Sequence, residues 1–212
     1  MAAQRLDGKA CAAEVETNLV ERIDAVKKQG IEPHLAVIIV GDDPASHVYV
    51  NSKIKTCERL GIRSTHIALA ADETEAVLRE HIHTLNERTD VHGILVQSPL
   101  PDHMDETALT DLIHPNKDVD GFHPENLGRL VQGRTNGMLP CTPSGVMRML
   151  RWAGIELEGM KAAVLGRSRI VGMPAALLLA AKGADATVTV VHSRTENAAE
   201  VCREADLSLI HI

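Results

Sequence analysis

Aromatic side chains are nearly absent from this chain of 212 residues, of which they make up 1%. One tyrosine, one phenylalanine and one tryptophan cannot fill a core, so we expect a core built from Ala, Val, Leu, Ile and Met. Hydrophobic residues make up 44% of the chain and charged residues 24%, which indicates a globular protein and excludes an intrinsically disordered one.

The chain also lacks an excess of positive charge and any long apolar run. Its formal net charge of -7 argues against bulk attraction to nucleic acid or to acidic membranes. No apolar segment typical of a secretory signal follows the N-terminus, and the longest apolar run, residues 175–181, is too short to span a bilayer. We therefore expect neither a nucleic-acid nor a membrane partner.

Paired cysteines are missing as well. The four cysteines are scattered without a C-x-x-C pair, so the sequence predicts neither a zinc site nor a disulfide framework. His81 and His83 do not share one face of a helix, and we predict no metal site there. A cytoplasmic protein with reduced thiols is the default interpretation.

Apolar segments of strand length alternate with helical segments in the first part of the chain. We predict strands at 35–40, 64–70 and 93–97, separated and followed by helices. The first helix is expected to begin at Pro44 and to stop at Gly61, the second to be capped by Asp72, and the third to span 106–113. This alternation is typical of an α/β fold with a parallel sheet.

A segment with little periodicity, residues 114–141, separates this part from a second β-α-β unit. That unit comprises a helix beginning at Thr142 and Pro143, a strand over 161–166, a helix over 173–183 and a strand over 187–191. We therefore predict two α/β domains, residues 1–141 and 142–206, joined near residue 141.

Tyr49 and Lys53 lie four residues apart at the start of the first predicted helix. This spacing puts both side chains on one helical face, with the tyrosine within hydrogen-bonding reach of the ammonium. Ligand sites of α/β proteins gather just past the carboxyl ends of strands, which favours a functional pair. A surface lysine beside a half-buried tyrosine is the alternative.

Two further polar positions follow strands or occupy loops. Gln97 ends the third strand ahead of S-P-L-P and is suited to hold a ligand amide or Lys53, although a solvated strand end has the same pattern. Asp118 and Asp120 lie in the loop D-V-D-G, where they are suited to bind a cation or a donor-rich heterocycle. An ordinary turn at D-G is the alternative.

The segment GRSRIVG, residues 166–172, follows a strand and opens a helix. Backbone N–H groups at such a position bind the phosphates of a dinucleotide, although the pattern differs from G-x-G-x-x-G. The next strand ends without an acidic residue but with Ser193 and Arg194, which suit a 2′-phosphate and predict NADP over NAD. The alternative is an ordinary polar strand end.

Taken together, these segments resemble one family closely, the bifunctional methylenetetrahydrofolate dehydrogenase/methenyltetrahydrofolate cyclohydrolases of the bacterial type. The resemblance covers nearly all of residues 1–206 and keeps the family's order and spacing. It rests on VGDDPASHVYVNSK, GILVQSPLP, PNKDVDGFHPENLGRL, LPCTPSG and LGRSRIVGMPAALLL with TVTVVHSRT.

The resemblance implies a folate-binding catalytic domain, a Rossmann-like NADP-binding domain and a homodimer. It implies oxidation of 5,10-methylenetetrahydrofolate with NADP, then hydrolysis to 10-formyltetrahydrofolate, in one-carbon metabolism. The catalytic and folate-binding residues would be Tyr49, Lys53, Gln97 and Asp120. The NADP-binding residues would be Gly166, Arg167, Ser168 and Ser193.

Departures from the family pattern occur at Ser98, where Leu is usual, and at Arg169 and Met173 around the phosphate loop. Residues 207–212, L-S-L-I-H-I, do not resemble the family's continuation and read like translated sequencing adapter, which suggests an artefactual tail on a gene fragment. Two other functions stay open. One is a monofunctional dehydrogenase, and the other is an inactive fragment that only binds folate or nucleotide.

Overall fold

The computed structural model describes residues 5–134 and 136–210, with the side chain of Ile210 excepted. These residues form two compact units. The first unit comprises residues 12–119, and the second comprises the described residues of 1–11 and 120–210. Within the described ranges, no helix combines the length and apolar character needed to cross a membrane.

The first unit is a parallel sheet of three strands in the order β2-β1-β3. Its central strand is buried on both faces because its residues alternate between two cores. Ala36 and Ile38 pack with α3 on one face, and Val37 and Ile39 pack with α2 on the other. The elements are α1 (Gly8–Lys27, beginning in the second unit), β1 (His34–Val40), α2 (Pro44–Leu60), β2 (Arg63–Leu69), α3 (Glu75–Glu87), β3 (Gly93–Val96) and α4 (Glu106–Thr110).

The second unit contains another parallel sheet of three strands, in the order β5-β4-β6. Its core is aliphatic, as the scarcity of aromatics predicts, and includes Ala162, Val164 and Leu179. The elements are α5 (Pro124–Val131), α6 (Cys141–Trp152), β4 (Lys161–Leu165), α7 (Gly172–Ala180), β5 (Thr187–Val191), α8 (Ala198–Glu204) and β6 (Leu207–Ile210).

The predicted α/β class and parallel sheets are confirmed, while several helix boundaries differ from expectation. Helix α2 begins at Pro44 and is closed by Gly61 in the left-handed conformation, as predicted. The prediction for Asp72 is wrong, because Thr74 is the N-cap of α3. The segment 114–141 contains α5, which begins at Pro124. Its N-cap is His123, whose ring Nδ1 accepts the backbone N–H of Glu125.

Residues 207–210, part of the predicted tail, form a strand in the second sheet. Strand β6 pairs with β4 in parallel, with Leu207 opposite Ala162. Asp206 precedes this strand and holds Lys161 through two hydrogen bonds, one from its backbone N–H and one to its carboxylate. His211 and Ile212, the last two residues of the predicted tail, lie outside the described residues.

Candidate active site

The strand order of the first unit creates a crevice at the carboxyl edge of its sheet. The chain leaves β1 towards β2 on one side and then crosses to β3 on the other side. Such a reversal separates the connections that follow the two neighbouring strands and leaves room for a ligand between them. Helix α2 follows β1 at this edge, and Gln97 directly follows β3, with its N–H bonded to the Ile38 carbonyl at 2.8 Å.

Lys53 and Gln97 meet at this edge. The Lys53 ammonium donates a hydrogen bond of 2.9 Å to Oε1 of Gln97. Both side chains are half-buried, and in the described part of the chain Gln97 is the only hydrogen-bond partner of the ammonium. Two N–H donors of Lys53 therefore stay available to a ligand.

The start of α2 is fixed by its own sequence. Asp43 accepts the backbone N–H of Ser46 at 2.7 Å, and this bond holds the pKa of the Asp43 carboxyl below its usual value. Pro44 supplies the first helical residue. The cap sets the start of the helix, and Lys53 follows two and a half turns later on the face towards Gln97.

Tyr49 lies one turn before Lys53 on α2, with 64% of its surface exposed. Among the described residues, no hydrogen bond joins its hydroxyl to the Lys53 ammonium, which is bonded to Gln97 instead. The predicted direct Tyr49–Lys53 contact is therefore absent here. An exposed phenol at the site's rim is suited to stack on or hydrogen-bond a ligand.

Lys117 anchors the segment that leads to the D-V-D-G loop. Its ammonium donates to the carbonyls of Leu85, Asn86 and Arg88 at 3.0, 2.7 and 2.7 Å, where α3 ends. Burial lowers the pKa of this ammonium. The Lys117 carbonyl accepts the N–H of Ile94 at 2.7 Å, which ties the segment to β3. Sequence reasoning missed this residue.

Asp118 and Asp120 fall in different surroundings. Asp118 is buried with 3% exposure and forms a parallel bridge with Ile94 of β3, which indicates a structural position. Asp120 is half-buried and begins the chain segment of the second unit. Gly121 after it has φ of +72°, and a Cβ there would lie 2.5 Å from the Leu139 carbonyl carbon. The D-G turn therefore requires glycine.

In the second unit, the loop between β4 and α7 folds tightly on itself. A Cβ on Gly172 would lie 2.3 Å from the carbonyl oxygen of Gly166, a distance that no side chain tolerates. The Ser168 hydroxyl oxygen accepts the N–H groups of Val171 at 3.1 Å and Gly172 at 3.3 Å, and so satisfies two backbone donors at the start of α7. Gly166 and Gly172, six residues apart, thus allow a tight turn between β4 and α7 although the G-x-G-x-x-G spacing is missing.

This loop fits the phosphates of a dinucleotide. The backbone N–H groups of Arg167, Ser168 and Ile170 have no hydrogen-bond partner in the described part of the chain. They precede the N-terminus of α7, where the helix dipole favours an anion. The Gly166 N–H donates to the Val191 carbonyl at 2.8 Å, so the loop lies beside the carboxyl end of β5.

The turn after β5 presents Ser193 to solvent at the same edge. His192 and Thr195 close this turn, with the His192 N–H donating to the Thr195 hydroxyl at 2.9 Å. Ser193 and Arg194 are both exposed. The strand order β5-β4-β6 again reverses at β4, so the loop and the turn border the crevice where dinucleotides bind in such sheets.

Comparisons with known proteins agree with this geometry. Residues 6–120 match the model of the tetrahydrofolate dehydrogenase/cyclohydrolase catalytic domain, and residues 140–212 match that of the NAD(P)-binding domain of the same family. The chain belongs to the tetrahydrofolate dehydrogenase/cyclohydrolase family. The second match extends through residue 212 and includes the six residues expected to lie outside the family.

Among curated relatives, the bifunctional protein FolD of Acetivibrio thermocellus is 49% identical over 212 residues, which cover all of this chain and 73% of that protein. The bifunctional protein FolD of Oleidesulfovibrio alaskensis is 52% identical over 210 residues, which cover 98% of this chain and 73% of that protein. The chain thus spans about three quarters of the length of these relatives.

Solved structures of the family share the fold. The bifunctional FolD methylenetetrahydrofolate dehydrogenase/cyclohydrolase from Campylobacter jejuni superposes with a TM-score of 0.95 at 47% identity, covering 99% of this chain and 74% of that one. The Trypanosoma brucei enzyme, solved with NADP and an inhibitor, gives a TM-score of 0.91 at 39% identity, covering 99% of this chain and 72% of that one. Membership of the family confirms the resemblance seen in the sequence.

Proposed function

We propose that this protein oxidises 5,10-methylenetetrahydrofolate with NADP and hydrolyses the resulting 5,10-methenyl cation to 10-formyltetrahydrofolate, within one-carbon metabolism. The observation that carries the proposal is the hydrogen bond between Lys53 and Gln97 at the carboxyl edge of the first sheet. It places a cation with two spare donors where α/β folds bind ligands.

The folate is held by residues that follow β1 and β3 and by the D-V-D-G loop. Tyr49, Lys53 and Gln97 are assigned catalytic roles, and Tyr49 also contacts the substrate from the exposed rim. Asp120 is assigned to the pterin, whose amino and ring N–H groups donate well to a carboxylate. A carboxylate suits the donor-rich pterin, and an ammonium held by an amide suits the reacting carbon beside it.

The cofactor is assigned to the second unit. Arg167 and Ser168 hold its phosphates through their backbone N–H groups, Gly166 keeps the loop tight enough for this approach, and Ser193 contacts the 2′-phosphate. NADP, when bound, accepts a hydride from the bridging carbon of the substrate. The protein's contribution to that step is to position the two rings, because orientation alone lowers a bimolecular barrier substantially.

Lys53 is assigned the proton transfers of the second step. Water adds to the methenyl carbon, releases one proton and leaves a hydroxyl on that carbon. A proton passed from Lys53 to the folate N5 lets the carbon–N5 bond break, and the amine then takes the hydroxyl proton, which restores the ammonium. Gln97 holds the ammonium in place during this exchange.

We further propose that residues 1–141 form the folate-binding catalytic domain and residues 142–206 the NADP-binding domain. The family matches are compatible with a boundary in this region, because the first ends at residue 120 and the second begins at residue 140, although the second compact unit already includes residues 120–141. A homodimer and a cytoplasmic location are proposed as well. The resemblance to the family supports the first, and the lack of paired cysteines supports the second.

Replacement of Lys53 by Met tests the assignment. The variant is expected to lose at least roughly 100-fold in methenyltetrahydrofolate hydrolysis while NADP binding persists, because a general acid–base group contributes on this scale. Methenyl formation and decay are followed in parallel, which also separates a bifunctional enzyme from a monofunctional dehydrogenase. Lys55→Met is the control, because Lys55 is exposed on the same helix. Unchanged hydrolysis by Lys53→Met contradicts the role of Lys53.

A further inference from the structure

The turn that follows Gln97 is held at both ends by one carboxylate. Oε1 of Glu106 accepts the Ser98 hydroxyl at 2.8 Å, and Oε2 accepts the backbone N–H of Leu100 at 3.1 Å. Glu106 is the first residue of α4, and both it and Ser98 are half-buried. The carboxylate thus bridges the turn S-P-L and binds it to a helix.

The same turn orients the amide of Gln97. Nε2 of Gln97 donates to the Ser98 carbonyl at 2.7 Å, and this leaves Oε1 to face the Lys53 ammonium. The Ser98 carbonyl also accepts the Ser46 hydroxyl of α2 at 3.4 Å. If the Gln97 amide were rotated by half a turn, its Nε2 N–H groups would face the N–H groups of the Lys53 ammonium. The hydrogen bond from Nε2 to the Ser98 carbonyl therefore determines that Oε1 faces Lys53.

We propose that Glu106 is a positioning residue for the cyclohydrolase step, acting through Ser98 and Gln97 on Lys53. The proposal rests on the proposed function of Lys53. Glu106 has no direct contact with the Lys53 side chain, and its effect is carried by three hydrogen bonds in series. Ser98, which stands where the family usually has Leu, supplies the side-chain donor of this series.

Loss of Glu106 frees the turn and allows the Gln97 amide to leave the ammonium. Lys53 then samples orientations that do not suit proton transfer, so turnover falls while the folate still binds. We expect Glu106→Ala and Ser98→Ala to lower kcat for hydrolysis roughly tenfold, with KM changed by no more than about twofold, as the loss of one oriented hydrogen bond allows.

Two variants separate positioning from general stability. Ser98→Thr keeps the hydroxyl donor and is expected to restore kcat to near the wild-type value. Asp105→Ala removes the N-cap of α4, whose carboxylate accepts the Ala108 N–H at 3.0 Å, without touching the bonds of Glu106 to the turn. It is expected to lower the melting temperature and to leave kcat unchanged. A kcat loss in Asp105→Ala equal to that in Glu106→Ala overturns the proposal.

A second measurement reports on Lys53 without turnover. Acetylation by an N-hydroxysuccinimide ester is followed by peptide mass spectrometry, with the exposed Lys55 as internal reference. The ratio of Lys53 to Lys55 labelling is expected to rise in Glu106→Ala and to stay at the wild-type value in Asp105→Ala. An unchanged ratio in Glu106→Ala overturns the proposal. If the wild-type chain hydrolyses no methenyltetrahydrofolate, the proposed function fails, and the labelling ratio alone decides the positioning role.

Discussion

The Lys53 ammonium and the Gln97 amide, 44 residues apart in sequence, are joined by a hydrogen bond of 2.9 Å. Their meeting follows from the parallel sheet. Strands β1 and β3 are neighbours that point the same way, so the helix after one and the residue after the other share an edge. An aliphatic core on both faces of β1 fixes this arrangement.

The Lys53–Gln97 bond predicts non-additive kinetics. Gln97→Ala is expected to lower methenyltetrahydrofolate hydrolysis roughly tenfold, because the ammonium loses the acceptor that holds it. The same change is expected to have little further effect when Lys53 is already Met, since the two residues act as a unit. A double-mutant cycle measures the coupling, with Gln29→Ala, at an exposed turn, as control. Independent, multiplicative losses are the contrary result.

Much of this site could be predicted from the sequence, because its residues directly follow buried strands. The apolar runs that form β1, β3 and β5 can be recognised by their composition. Polar residues follow each run at the carboxyl edge of the sheet, where α/β folds bind ligands. The roles of Lys117 and Glu106 could not be predicted in this way. Each binds backbone groups more than five residues away, and only the folded chain brings those groups within reach.

Helix α5 was not predicted, because its own sequence carries weak helix signals. Its N-cap is His123, a residue that rarely caps helices, and its eight residues include a glycine at position 128. A short segment with two buried residues, Asn126 and Leu130, has too few apolar positions to establish a helical period. Pro124 at the first helical position was the one signal that could have found it.

The tight phosphate loop predicts a strong effect of Gly172→Ala. The new methyl group would lie within 2.3 Å of the Gly166 carbonyl oxygen, so the loop must open. We expect the free energy of unfolding to fall by about 2–4 kcal/mol, as overpacking against backbone does, and NADP affinity to fall at least roughly tenfold. Calorimetric titration with NADP and denaturant unfolding measure the two effects.

Gly145→Ala is the matched control for that variant. Gly145 lies in α6 of the same unit, with no heavy atom within 4 Å of a Cβ built there. Alanine at this position is expected to raise the free energy of unfolding by about 0.5–1 kcal/mol, because it lowers the entropy of the unfolded chain. Equal affinities for NADP in the two variants would contradict the assignment of the loop to the phosphates.

The exposed turn after β5 predicts the cofactor preference of Ser193→Asp. A carboxylate there would repel a 2′-phosphate and accept a hydrogen bond from a ribose 2′-hydroxyl, so the ratio of NADP to NAD affinity is expected to fall roughly tenfold or more. Thr187→Asp adds the same charge at the opposite end of the same strand and serves as control. Equal shifts in both variants would point to net charge instead of local recognition.

The carboxylate of Asp90 predicts a pH-dependent contribution to stability. Arg88 binds both of its oxygens, at 3.0 and 2.7 Å, with Arg63 at 3.3 Å and the His34 ring at 3.5 Å. The hydrogen bonds from Arg88 hold the pKa of Asp90 well below its usual value. A carboxyl whose pKa is lower in the folded than in the unfolded state stabilises the fold above its unfolded pKa, and this contribution is lost as the pH falls towards the folded value.

Asp90→Asn is therefore expected to unfold more readily than the wild type at pH 7, by an amount that stays constant down to about pH 5 and shrinks below about pH 4. The difference is expected to shrink in 1 M salt as well, because Asp90 is about half exposed, at 48%, and its ion pairs are screened. Denaturant midpoints across this pH range measure it. Asp102→Asn, which removes an exposed carboxylate without a partner among the described residues, should show no such trend. A difference for Asp90→Asn that is independent of both pH and salt would mean that the loss comes from packing and not from charge.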